Sequence, residues 1–263
     1  MDSGVLCKTI LFFFIYSFMG WVCECVYCSI PARKFINRGF LTGPLCPVYG
    51  FGALLVIWIL TPVSGDVGML FLFGLLVTSA LEYITSLLLE KLFHMKWWDY
   101  SAKHCNIHGR VCLLNSVLFG TLSVLLMRGI HPSVRQLVNT LSPAALFIAA
   151  CALCVILLSD LIVSVHATLQ FNGKLKQLHG VLEEIHEKSA LRHQEFAERL
   201  AQLRERQFAL EHHHAFSHRR LLHAFPHLKS THYHEEAMRL RKSLETWVKS
   251  KNKIKSIYHD KRR

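Results

Sequence analysis

Apolar residues in this chain fall into five long runs, near residues 5–30, 44–63, 67–91, 110–130 and 142–168, separated by short polar or Gly/Pro-bearing connections. Each run is apolar on all sides over about 20 residues, the length of helix that crosses a hydrocarbon core. Buried helices of a soluble domain keep a polar stripe, and five that lack one argue for a lipid environment. The pattern predicts an all-α fold, a polytopic membrane helix bundle of about five spans, over residues 1–168.

Past residue 168 the pattern becomes amphipathic. Leu175, Leu182, Phe196, Leu203 and Leu210 recur by sevens with Ser189 the exception, while the second seam runs from Leu178 and Ile185 into Arg192, Arg199 and Arg206. A two-stranded coil wants both seams apolar. The spacing therefore predicts a long amphipathic helix over 174–211 that packs on its own chain or a partner helix, with coiled-coil homodimerisation the second option. Phe225-Pro226 marks a break, and a further helix is expected over 231–258. Residues 169–263 form the expected helical tail.

Charge adds an orientation. Residues 1–168 hold 10 of the 30 Lys and Arg and 7 of the 18 Asp and Glu, a balance of +3, and the tail holds the other 20 and 11, a balance of +9. Arg33, Lys34 and Arg38 follow the first run, the turn at Ser64-Gly65-Asp66 has no basic residue, and Lys91, Lys96, Lys103 and Arg110 follow the third. Enrichment on alternate sides predicts a multi-pass cell-membrane protein with its N-terminus outside and its tail cytoplasmic. Lys8 before Ile10–Val22 resembles a signal peptide, but bulky Val26 and Tyr27 offer no small-x-small cleavage site, so an uncleaved span is expected. Nine cysteines, mostly in the spans or on the reducing side, do not make a disulfide framework.

Three acids interrupt the apolar runs. Glu24, Glu82 and Asp160 each precede the inner end of their span by six to nine residues, about 9 to 14 Å of helix. A charge facing lipid is costly, so each should face the bundle interior. Ser17, Gly20, Glu24 and Tyr27 share one stripe, Ser79, Glu82, Ser86 and Glu90 another, and Cys112, Ser116, Gly120 and Ser123 a third. Small and hydroxyl residues allow helices to approach closely. The acid layer reads equally as a candidate solute or proton pathway and as a buried network fixing register, partnered by Arg38 or Arg110.

Cys23, Cys25 and Cys28 surround Glu24, but a soft metal would need further ligands. No metal site and no cofactor are expected. The two prolines of the loop at 37–50 fit a proline-started helix better than a re-entrant turn. Trp97-Trp98-Asp99-Tyr100-Ser101 reads as an anchor at the headgroup level. Twelve of the 17 histidines lie in the tail, including His212, His213 and His214, and are expected to be solvated rather than metal-bound.

With these motifs placed, the runs GWVCECVY, RKFINRGFLTGPLCPVYGFG, LEYITSLLLEKLFHMKWWDYS and NIHGRVCL together resemble the bacterial putative ABC-transporter type IV permease family over about residues 10–168. The resemblance implies a polytopic membrane protein with a transport role. The motif positions it carries onto this chain include Glu24, Tyr27, Asn37, Arg38, Tyr49, Glu82, Trp98, Asp99, Tyr100, Asn106 and Arg110. The cysteines occupy variable positions in that pattern.

No G-x-x-x-x-G-K-[ST] loop occurs, so an ATP-driven role would require a separate ATP-binding subunit. Neither H-E-x-x-H nor G-x-S-x-G is present, and no catalytic residue is assigned. The basic tail suits the anionic inner leaflet of the lipid bilayer, and no nucleic-acid motif accompanies its charge. The leading expectation is a permease-like subunit for a small solute or ion. The alternative is a non-transporting sensor or scaffold acting through the tail.

Overall fold

The computed structural model of the protein describes residues 3–189, 195–212, 216–225 and 228–246. Helix α1 covers Ser3–Ala32, α2 Pro47–Leu60, α3 Val67–Phe93, α4 Leu113–Leu125, α5 His131–Asn139, α6 Pro143–Ser189, α7 Glu195–His212 and α8 Phe216–Ala224. A last helix, α9, covers residues 234–246. Two short antiparallel ladders complete the described structure: β1 (Met95–Lys96) pairs with β4 (Lys229–Ser230), and β2 (Asn106–Ile107) with β3 (Val111–Cys112). The fold is an all-α bundle, as the periodicity predicts.

Two compact units are present, one of Met1–Leu92 with Trp97–Val165, the other of Phe93–Lys96 with His166–Arg263. Among the described residues, four helices are long and apolar enough to cross a membrane: Ser3–Ala32, Val67–Phe93, Leu113–Asn139 and Pro143–His186. The expected span at 44–63 is instead a shorter apolar helix, Pro47–Val63. Its start is set by Pro47, whose missing N–H costs nothing in a first turn. The 14 residues of α2 measure about 21 Å, short of the roughly 30 Å of a hydrocarbon core.

The fourth run also differs from expectation, continuing as helix well beyond residue 130. Pro132 would remove a hydrogen bond and press on the carbonyl four residues earlier. A π-helical turn at Leu126–Ile130 widens the helix just before it, and α5 carries on.

Inside the first unit small and hydroxyl side chains pack among apolar ones such as Leu11, Phe14, Leu60 and Leu70, and much of its outer surface is apolar. Ser17, Ser116, Ser123 and Ser164 are buried, while Trp58, Ile148, Val155 and Ile162 are exposed. Such an exposed apolar surface suits hydrocarbon and would be a liability in water. Helices α1 and α2 cross closely at Gly20 and Gly50, where a Cβ on the first would overlap Tyr49 and on the second Ser17 and Phe13. Gly74 against Ser123, and Gly120 against Phe71, do the same for α3 and α4. Ser79 Oγ donates to Ser116 Oγ at 2.7 Å between them.

In the second unit the tail seam is covered by its own chain. Leu175, Leu178, Val181 and Leu203 are buried, as are Leu221, Leu240 and Leu244. His179 Nδ1 on α6 lies 2.8 Å from the buried carboxylate of Glu236 on α9. Residues 247–258 of the expected last helix, Arg192, His193, His213, His214 and Pro226 lie outside the described residues.

Candidate functional site

Arg33, in the left-handed region at φ 49°, turns the chain out of α1 and starts a loop that folds back against that helix. Ile36 N–H donates to Ser29 Oγ at 2.9 Å, and Arg38 N–H to Cys25 Sγ at 3.3 Å. Asn37 accepts from Trp21 Nε1 at 2.7 Å and donates to the Thr42 carbonyl at 3.0 Å. Arg38 is thereby placed with its Nε 3.7 Å from Glu24 Oε2.

The close crossing at Gly20 determines the other partner of Glu24. Gly20 lies one turn before Glu24, and the missing side chain lets the first turn of α2 approach. Tyr49 then donates its phenolic hydrogen to Glu24 Oε1 at 2.7 Å. One carboxylate is held by a neutral donor on one side and a guanidinium on the other.

A second loop, between α3 and α4, supplies Tyr100. Asn106 accepts from Gly109 N–H at 3.0 Å and donates to the Lys103 carbonyl at 2.8 Å. Asp99 Oδ1 accepts from the Ser101 amide at 3.0 Å and from its hydroxyl at 2.5 Å. Gly109 sits at φ 68°, and a Cβ there would lie 2.7 Å from Asp99 Oδ1, so both conformation and space call for glycine. The loop so shaped lets Tyr100 donate to Glu82 Oε1 at 3.2 Å. Burial raises the Tyr100 phenol pKa, and the carboxylates of Glu82 and Glu24 raise it further, so the phenol stays protonated as a donor.

The aromatic segment departs from the interfacial-anchor expectation. Trp97 is buried, edge-on to Phe40 with ring centroids 5.2 Å apart. Trp98 Nε1 donates to the Arg110 carbonyl at 2.9 Å. Trp98 thereby closes the β2–β3 turn, while Trp97 packs inward on Phe40. Arg110 itself pairs with Glu90 at 2.6 Å and lies 5.6 Å from the Tyr83 ring centre, rather than joining any of the three intramembrane acids.

The acids divide into two arrangements. Glu24 and Glu82 both act on the Tyr100 phenol and belong to one polar cluster with Arg38 and Tyr49. Asp160 instead grips loop backbone: Oδ1 accepts from Thr42 N–H at 2.9 Å and Oδ2 from Gly43 N–H at 2.8 Å, with Ser164 Oγ 3.3 Å away. Tyr27 stands apart, 69% exposed. Glu82 Oε2 is buried and makes no hydrogen bond of ordinary geometry among the described residues. Trp21 and Thr42 also contribute to this region; Trp21 lies within the GWVCECVY motif, whereas no sequence signal marks Thr42.

Spans, inward small residues and intramembrane carboxylates together define a polytopic α-helical membrane protein. Residues 11–165 match the family described as Putative ABC-transporter type IV, and the chain belongs to that family. Comparison with curated proteins and with solved structures finds no match.

Proposed function

We propose that the chain is the membrane subunit of a transporter, permease-like, without an ATPase of its own, passing a small solute or ion by way of the Glu24–Glu82 cluster. The observation that carries this reading is Glu82 Oε2, a buried carboxylate oxygen that makes no hydrogen bond of ordinary geometry among the described residues, with the Asn115 side chain its near neighbour. Buried polar atoms are normally satisfied, and an ionisable residue inside a membrane span is by default a functional one. A proton or a cation would satisfy it. Asp160 holds the neighbouring loop, so it belongs to the support of the pathway rather than to the conducting cluster.

Energy coupling in this reading comes from a separate ATP-binding subunit that docks on the cytoplasmic side, on the loops at 33–46 and 94–112 or on the tail. The chain itself performs no catalysis. In this reading the short helix α2, extended by the turn to Val63, still crosses as a fifth span, so the N-terminus is outside and the basic tail lies at the inner leaflet, with the transmembrane domain ending near residue 168.

Purification of the intact complex in mild detergent, followed by mass spectrometry of its partners, tests the proposal. A stoichiometric ATPase supports it. A signalling or cell-envelope enzyme in its place supports the scaffold reading, which draws on the tail unit having its own buried core of Leu175, Leu178, Leu221 and Leu240. Glu82→Gln separates the two at the residue level: transport is lost at unchanged membrane abundance if the carboxylate conducts.

A further inference from the structure

At the end of the first unit away from the Glu24 cluster, a cavity of about 690 Å³ opens between the turn after α2 and the helix α5. Its polar lining contains donors and no carboxylate. Arg135 lines it, is exposed, and forms no ion pair among the described residues. Gln136 and Ser64 add an amide and a hydroxyl.

Neighbouring contacts fix the orientation of two further groups. Lys8 Nζ donates to Asn139 Oδ1 at 2.8 Å, so the side of Asn139 left for other partners is its NH2. Tyr16 Oη lies 2.7 Å from His131 Nδ1, and a phenol donating there places the imidazole proton on Nε2. The lining hydroxyls of Thr61 and Thr140 are spent on the Ile57 and Leu137 carbonyls and supply no donor.

Among the described residues, the lining of the cavity holds no acid. Between residues 61 and 66 and between 126 and 142 the only acid is Asp66. Its Oδ1 already accepts from the Gly68 and Met69 amides at 2.7 and 3.1 Å. Arg128, one turn before Pro132, donates to the Gly65 carbonyl at 2.8 Å and ties the two walls of the cavity together. The π-helical turn Leu126–Ile130 adjoins it, a distortion that recurs at functional sites.

We infer that this cavity is an anion-binding site for a phosphate or phosphate-bearing headgroup, held by the Arg135 guanidinium with Gln136, Asn139, Ser64 and His131 as neutral donors. A planar guanidinium flanked by uncharged donors matches a tetrahedral oxyanion, which accepts from several directions at once. The site goes beyond the transport reading and does not depend on it, since its residues are separate from the Glu24–Glu82 cluster.

The test uses the full-length protein in neutral detergent, with inorganic phosphate titrated calorimetrically and, separately, phosphatidylglycerol retention followed by native mass spectrometry. Arg135→Gln and Gln136→Glu are measured beside the parent, with thermal unfolding to confirm that both variants fold. Exposed positions should leave the fold unchanged. Saturable phosphate binding weakened tenfold or more in both variants assigns a soluble anion. Phosphatidylglycerol retention lost in both variants, without phosphate binding, assigns a lipid headgroup. Binding of neither probe, or binding that both folded variants retain at parental strength, overturns the proposal.

Discussion

Tyr49 reaches Glu24 across the α1–α2 crossing only because Gly20 has no side chain. The 2.7 Å bond between phenol and carboxylate spans 25 residues of sequence and joins the first two apolar helices at their polar end. Arg38 completes the arrangement from the loop between them.

Replacing Tyr49 by Phe removes the donor and keeps the ring. The partly exposed carboxylate keeps Arg38 but loses its hydrogen bond from the phenol, worth about 1 to 2 kcal/mol. Thermal unfolding in detergent should show a lower midpoint for Tyr49→Phe than for the parent, and an unchanged midpoint would remove this bond from the account of stability.

Gly20→Ala tests the crossing itself. The added Cβ overlaps the Tyr49 side chain, and overpacking of this kind typically costs about 1 to 3 kcal/mol. Combined with Tyr49→Phe, the effect should be less than the sum of the two, because separated helices have already lost the hydrogen bond. Additive losses would show that the two features act independently.

Asp160→Asn retains one acceptor and puts an NH2 where the other carboxylate oxygen stood. One of the Thr42 and Gly43 amides then faces a donor. Hydrogen exchange over residues 41–45 should accelerate by about tenfold or more, equivalent to roughly 1.4 kcal/mol of local protection. Exchange at the parental rate would mean that the loop is held by other contacts.

Arg110→Gln leaves Glu90 without its 2.6 Å ion pair while keeping the backbone carbonyl that Trp98 uses. The partly buried carboxylate becomes uncompensated, and a midpoint loss equivalent to about 2 kcal/mol is expected. Trp98→Phe, which forfeits one neutral hydrogen bond, should cost less, about 1 kcal/mol. The reverse order in unfolding scans would contradict this ranking.

Orientation can be read chemically. Cys105 is exposed in the loop after α3, and Ser64 lies in the turn after α2. An impermeant maleimide applied to intact cells should label a Ser64→Cys variant and leave Cys105 untouched until the membrane is opened. Labelling of Cys105 in intact cells would invert the topology inferred from the basic residues.

Much of the bundle was legible because hydrocarbon imposes a simple requirement on sequence: about 20 apolar residues per crossing. The second span is overestimated because Leu45 and Cys46 extend the apolar run ahead of Pro47, where the helix begins. Glu24 could be recognised as needing a partner, since a carboxylate in such a run is costly anywhere. The identity of that partner was hidden, because contact with Tyr49 depends on how closely two helices cross. Asp160 was harder still. Its partners are backbone amides, which every residue but proline possesses and no sequence pattern marks. The Trp97-Trp98 pair carried the composition of an interfacial belt, and only the fold of the loop at 106–112 shows that one indole is needed as a donor inside it.

The Asp160 clasp also has a place in time. Thr42 and Gly43 leave the ribosome 118 and 117 residues ahead of the carboxylate that receives their amides. At roughly 5 to 20 residues per second, that interval is about 6 to 24 seconds of synthesis. The loop that positions Arg38 therefore acquires this restraint only once synthesis has passed Asp160 in the last long apolar helix, so assembly of the Glu24 cluster is completed late, by the newest part of the membrane unit closing on the oldest.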